Sequence, residues 1–195
     1  MNRPLFYPAR VISTFFIPPT LFIISFLFLA LYYESPDKAV NTIIVSLLLG
    51  VIIPIGIFVY LVKSGKVVNQ DATNKDERTT PYLLGILLYG IGLIALIYLD
   101  AGDVTISFWT TYLVNTIFIL IINKFWKISA HALGVAGPLG LFYFLYGIYA
   151  YPFFILLLLV GWSRIYLKCH TPLQVLAGSL FGFFSVYLQL ILMLN

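Results

Sequence analysis

Charge is what this sequence has least of. Charged residues make up 9% of its 195 residues, against roughly 25% in an ordinary soluble domain. With 62% hydrophobic residues and a mean hydropathy of +1.03, such a chain cannot be solvated as a water-soluble globule. Basic residues exceed acidic ones by 11 to 7, but they form no basic domain and no run of interleaved Lys and Arg, which excludes nucleic acid as a partner. A single cysteine, Cys169, excludes an internal disulfide, so the redox compartment cannot be read from it. Its expected role is packing. Ser-rich and Pro-rich linkers, a soluble domain and internal repeats are all missing. Histidine occurs only twice, as His131 and His170.

What the chain has in quantity is long apolar sequence. Charge-free stretches run over 11–33, 39–62, 81–99, 104–123, 132–150, 151–162 and 171–194. All but the sixth reach the length of about 20 residues that crosses a hydrocarbon core, and the sixth must borrow Ser163 to Leu167 to do so. Backbone amides cannot face lipid unbonded, so these stretches should be helices. The expected fold is all-α, a polytopic transmembrane helix bundle of six to seven helices. Residues 1–195 should form a single integral membrane domain, with one polar loop at 63–80 long enough to fold over an entrance. Arg3 and Arg10 ahead of the first stretch resemble a secretory signal, but no small-residue cleavage site follows, so a retained helix is expected. Pro18, Pro19, Pro54 and Pro138 mark kinks. Gly85, Gly92, Gly134, Gly137 and Gly140 are positions where neighbouring helices can approach closely.

Orientation follows from counting cations. With seven crossings, Arg3, Arg10, Lys63, Lys66, Lys75, Arg78, Lys124, Lys127, Arg164 and Lys168 fall on the face bearing the N-terminus, and only Lys38 falls on the other. The excess of cations marks the cytoplasmic side, so the N-terminus and the polar face are expected there, in a multi-pass protein of the cell inner membrane.

The loop around Arg78, the turn around His131 and the turn around His170 are separated by even numbers of crossings and should emerge on one side. That gathers Arg78, Lys127, Ser129, His131, Ser163, Arg164, Lys168 and His170 near the membrane surface. Lysines at helix ends usually anchor by snorkelling, and a lone histidine is more often a satisfied buried side chain than a catalyst. Two histidines beside two arginines point instead to phosphoryl transfer. Arginine's planar fork spreads over nonbridging phosphate oxygens, and serine hydroxyls and helix N-terminal amides add donors. Two imidazoles with an ordinary pKa of about 6.5 can divide the labour, one attacking and one donating a proton.

Ser163-Arg164, five residues and His170 reproduce S-R-x5-H, and Ser129-Ala130-His131 is close to S-G-H. In this order, each opening an apolar helix, they resemble the third and second signatures of the type-2 phosphatidic acid phosphatase superfamily. Arg78 with Pro81 is similar to the R-P end of its first signature, K-x6-R-P. The resemblance implies His170 as the nucleophile that forms a phosphohistidine and His131 as the general acid for the departing alcohol. Arg78, Ser129, Ser163 and Arg164 would hold the phosphate. It implies no metal and no cofactor, and a lipid phosphate monoester or diphosphate as substrate, with membrane lipids around the protein.

The chain departs from that pattern in three places. Gln174 stands four residues after His170, where the family places an Asp. A carboxylate there fixes the imidazole tautomer and stabilises its positive charge, whereas the Gln carbonyl can only accept the hydrogen bond. Asp71, not Lys, stands seven residues before Arg78, and Thr79 and Thr80 separate Arg78 from Pro81. Ala130 replaces the middle Gly of S-G-H. Asp71, Asp76 or Glu77 in the polar loop could orient His170 in place of the missing Asp. Two further readings remain: a catalytically impaired relative that binds or translocates lipid phosphates, and a Mg-dependent diphosphate prenyltransferase-like enzyme using Asp71 and Asp76.

Overall fold

The computed structural model describes residues 5–68, 71 and 74–195; Arg3, among the cations counted above, lies outside the described residues. Nine α-helices occur among the described residues: α1 (Phe6–Phe15), α2 (Pro18–Tyr32), α3 (Pro36–Leu47), α4 (Ile53–Lys63), α5 (Thr79–Tyr98), α6 (Asp103–Phe125), α7 (Ala130–Tyr146), α8 (Tyr151–Tyr166) and α9 (Pro172–Leu194). Strands are absent among the described residues. Five apolar stretches are long enough to cross a membrane, and the bent pair α1 and α2 makes a sixth if it is one span. The protein is an all-α membrane protein. Helices end where their residues dictate. The first apolar stretch breaks into two helices bent by 47°, because the ring of Pro18 clashes with a preceding helical turn. Between α3 and α4 the backbone widens into a π-helical turn over Leu48–Ile52, immediately before Pro54, whose missing N–H removes one α-helical bond. Pro138 sits inside α7, fully enclosed.

By its contacts the chain forms two compact units, Met1–Leu21 with Ile128–Leu188, and Phe22–Lys127 with Gln189–Asn195.

In the second of these, α5 and α6 pack as a hairpin. The indole ring of Trp109 fills the space that a side chain at Gly92 would need, within 2.0 Å of a Cβ there. Gly50 does the same for Phe22, and Phe22, Phe26, Tyr89, Phe108, Trp109 and Tyr112 form one aromatic cluster. Polar side chains within these helices bond inward. The hydroxyls of Thr110, Thr111 and Thr116 donate to carbonyl oxygens of their own helix, and Gln189 Nε2 donates to Asn115 Oδ1 at 3.0 Å. At one end, Glu34 caps α6 by accepting from Gly102 N–H and the Thr105 hydroxyl. At the other, Lys75 Nζ donates to the Lys124 carbonyl at 2.7 Å, and Asn123 Nδ2 donates to the Lys75 carbonyl at 2.7 Å. The polar loop is thus fastened to the C-terminus of α6, where a cation also meets the negative end of the helix dipole.

In the first unit the decisive feature is a reversal. The rings of Phe142 and Phe153 stack at 4.3 Å, whereas residues that far apart in one continuous helix lie about 16 Å from each other. The stretch Ala130–Tyr166, continuous by composition, therefore doubles back into α7 and α8, each about 25 Å long by helical rise. The turn is made at Gly147, with φ of 58° and ψ of −129°, a conformation open to glycine and strained for other residues. The fifth and sixth apolar stretches are thus separate helices, and α8 extends past Trp162 to Tyr166, as its short apolar stretch required.

Helix α9 closes on α7 through Gly140, one of the glycines singled out above, and through Gly178 and Gly182. A Cβ at Gly178 would come within 2.6 Å of the Ser129 carbonyl oxygen, one at Gly182 within 2.9 Å of the Leu133 carbonyl, and one at Gly140 within 2.8 Å of the Phe183 carbonyl. Gly85 and Gly137 have only ordinary neighbours, at 3.7 and 3.6 Å. Gly147→Ala should accordingly lower stability by about 1–2 kcal/mol, read as a reduced melting temperature in detergent, while Gly85→Ala should leave it unchanged or raise it by up to about 1 kcal/mol.

Candidate functional site

Helix α8 ends in a Schellman motif. Lys168 N–H donates to the Ile165 carbonyl at 2.9 Å and Cys169 N–H to the Arg164 carbonyl at 3.0 Å, with Lys168 in the left-handed region at φ 57°. This turn normally carries glycine, and here it redirects the chain so that His170 N–H also reaches the Arg164 carbonyl, at 3.3 Å. His170 is thereby tied to the last turn of the helix carrying Ser163 and Arg164.

The next residues start α9 with a capping box. Gln174 N–H donates to Thr171 Oγ1 at 3.3 Å, and Gln174 Oε1 accepts from Thr171 N–H at 3.2 Å, the reciprocal pair expected of T-x-x-Q ahead of an apolar helix. The same Oε1 lies 3.1 Å from His170 Nδ1. A backbone nitrogen can only donate, so the Gln174 atom facing it is the carbonyl oxygen. That oxygen can only accept, so Nδ1 carries the hydrogen and, in the neutral ring, Nε2 keeps its lone pair. The cap of α9 therefore sets the tautomer of His170.

Helix α7 begins beside it. Ser129 is the N-cap, its Oγ accepting from Ala132 N–H at 3.3 Å, and His131 follows in the first turn, half-buried. Ser129 N–H donates to the Gln174 main-chain carbonyl at 3.2 Å, which, with the contact at Gly178, stitches the starts of α7 and α9 together. Two helix N-termini thus meet, each with its partial positive charge, and both histidines stand at that junction in the chain.

Arg164 is fully enclosed, at 0% exposure, and donates from Nη1 to the hydroxyl of Ser13 on α1. The Ser163 hydroxyl donates to the Val160 carbonyl at 2.7 Å, so it must leave that bond before it can give its hydrogen to a phosphate. The Ser129 hydroxyl, acting as acceptor in its cap, retains its hydrogen for donation. Cys169 is buried and packs as expected. Six sequence candidates, His131, His170, Ser129, Ser163, Arg164 and Gln174, thus share one unit. Arg78 belongs to the other, buried at the start of α5, with its N–H donating to the Lys75 carbonyl at 3.2 Å. Glu77, one of the acids considered as a stand-in for the missing Asp, accepts from Val68 N–H at 3.1 Å, and the oxygen facing His170 Nδ1 is that of Gln174. Among the described residues no three His, Cys, Asp or Glu side chains are grouped to hold a metal ion.

Residues 105–195 match the family model of the PAP2 superfamily. The match spans the C-terminal 91 of the 195 residues and makes that stretch similar to the superfamily. Comparison with curated proteins and with solved structures gives no match. The PAP2 match takes in both histidines, Ser129, Ser163, Arg164 and Gln174 and leaves out Arg78 and the whole of α1. Two features of the candidate site were missed in the sequence. The capping box Thr171-x-x-Gln174 was legible as a pattern; the Ser13 contact was not, because no local signal links α1 to α8.

The tautomer yields a direct test. Nitrogen-15 NMR of His170 at alkaline pH should show hydrogen on Nδ1 and a bare Nε2. Gln174→Ala should give a mixture of tautomers and lose about 1 kcal/mol of stability with the cap.

Proposed function

We propose that this protein is a membrane-integral lipid phosphatase-like enzyme. It hydrolyses a phosphate monoester or diphosphate of a lipid through a phosphohistidine intermediate, without a metal. The observation that carries this reading is the hydrogen bond between His170 Nδ1 and Gln174 Oε1, which directs the lone pair of Nε2 away from its partner and makes it a nucleophile.

In the proposed sequence, Nε2 of His170 attacks phosphorus and the bond to the lipid oxygen breaks. His131, protonated, gives its proton to that oxygen, and the lipid alcohol leaves. Water then attacks the phosphohistidine, His131 takes the water's proton, and inorganic phosphate is released with His170 neutral again. Arg164, with Ser129 and Ser163, would hold the nonbridging oxygens, aided by the joined N-termini of α7 and α9. The lipid's acyl chains would remain among the helices. The cation count supports a multi-pass protein of the cell inner membrane with this face and the N-terminus in the cytoplasm.

Gln174 supports one second reading. A neutral amide orients the ring but cannot stabilise the positive charge that appears on it as phosphorus is attacked, and in a serine protease the comparable Asp-to-Asn change costs on the order of ten-thousand-fold in rate. A relative that binds or translocates lipid phosphates with weak turnover fits that deficit.

Phosphate release by purified protein across a panel of lipid phosphates and diphosphates, with and without Mg²⁺, separates these readings. Turnover without Mg²⁺, abolished in His170→Ala and raised tenfold or more in Gln174→Asp, is the expected result. Binding of lipid phosphate without release in either the parent or Gln174→Asp would leave the second reading. Turnover that needs Mg²⁺ and survives His170→Ala would overturn both.

A further inference from the structure

A guanidinium that is always charged and completely enclosed needs hydrogen-bond partners. For Arg164 one of these comes from outside the matched part of the chain. Its Nη1 donates to the hydroxyl of Ser13, which is itself 3% exposed and lies on α1, where the family match does not reach. Only Ala9 and Ser13 are buried on α1. They lie one turn apart, so the buried stripe of that helix consists of two small side chains, and Ser13 alone brings a polar group to it. Small residues let α1 lie directly against α8. The chain after α1 is held too, because a Cβ at Gly134 of α7 would come within 2.9 Å of the Pro18 side chain. The opposite side of α1 is exposed and apolar, with Tyr7, Val11 and Phe15 at 79%, 64% and 63%, as suits a helix turned to lipid.

We propose that Ser13 is a positioning residue of the phosphate site: by accepting from Nη1 it fixes the plane of the Arg164 guanidinium, and so the direction in which that fork meets an oxyanion. The proposal rests on the reading in which Arg164 holds the phosphate. Arginine grips phosphate in a planar, direction-dependent way, and its side chain has several rotatable bonds. A bond from one guanidinium nitrogen to a different helix stops rotation about the last of them before substrate arrives. Ser13 need not touch the phosphate to do this. It makes α1 a working part of the site in place of a peripheral anchor.

Equilibrium affinity for orthovanadate, a phosphate mimic, measured calorimetrically on the full-length protein in detergent, reads the effect without requiring turnover. Ser13→Ala should bind vanadate about tenfold to a hundredfold more weakly, the range for losing a hydrogen bond to a charged group. Ser13→Cys keeps the packing volume but offers a poor acceptor, and it should weaken binding in the same sense, which covers the case in which Ser13→Ala fails to fold. Because Ser13 acts through Arg164, Ser13→Ala should add nothing in an Arg164→Lys background, where no planar fork remains to be oriented. If Arg164→Lys weakens vanadate but neither Ser13 variant does, or if the Ser13 and Arg164 effects simply add, Ser13 is no more than a packing residue and the proposal fails alone. If Arg164→Lys binds vanadate as tightly as the parent, Arg164 does not hold the phosphate, and the proposal falls together with that part of the functional reading.

Discussion

The candidate site in this protein depends on one residue, Gln174, and on what its two oxygens accept. Its side-chain oxygen takes the N–H of Thr171 and the Nδ1 hydrogen of His170, and its main-chain oxygen takes the N–H of Ser129. The first bond completes the start of α9, the second selects the imidazole tautomer, and the third draws the start of α7 alongside. The first two need only a side-chain acceptor, which an amide supplies as a carboxylate would, and the third uses the main chain whatever the side chain. The geometry of the site therefore does not need a carboxylate at position 174. Charge stabilisation does, because the amide has no negative field with which to balance an imidazolium. Orientation and electrostatic stabilisation, which a carboxylate would combine, are separated here.

Close helix contact is the second constraint. Inside a bilayer, apolar side chains gain little by leaving lipid for one another, so association relies on shape and on backbone proximity. Gly178, Gly182 and Gly140 bring the backbones of α7 and α9 to within a few ångströms, and the bond from Ser129 N–H to Gln174 can form only because Gly178 leaves room for the Ser129 carbonyl. The separation of the two helix starts is thus a property of residues that carry no chemistry of their own. The same economy shows in the other unit, where Gly92 receives the indole of Trp109 and threonine hydroxyls bond back to their own helix.

Much of this was legible in the chain as written. Apolar runs longer than a bilayer, without charge, leave helices as the one structure able to bond every backbone amide in lipid, and the all-α bundle follows from such runs. The Pro18-Pro19 pair marked a break, although 47° divides the first run into two helices where a single kinked one was expected. Ser163, Arg164 and His170, with Ser129 and His131, were recognisable by spacing, since turns and helix starts impose fixed offsets along the chain, and T-x-x-Q at 171–174 was there to be read as a cap.

Spacing along the chain determined that this is a helical membrane protein, and it determined which turns carry the histidines, arginines and serines, because both depend only on near neighbours. Tertiary structure alone decided that the reversal between the fifth and sixth apolar stretches is made at Gly147, that Lys168 adopts a glycine-like turn, and that Gly178 admits the Ser129 carbonyl. It also brought Ser13 to Arg164. These outcomes depend on which surfaces of distant helices fit together, and a hydroxyl on the first helix meets a guanidinium on the eighth only after every intervening turn has taken its place.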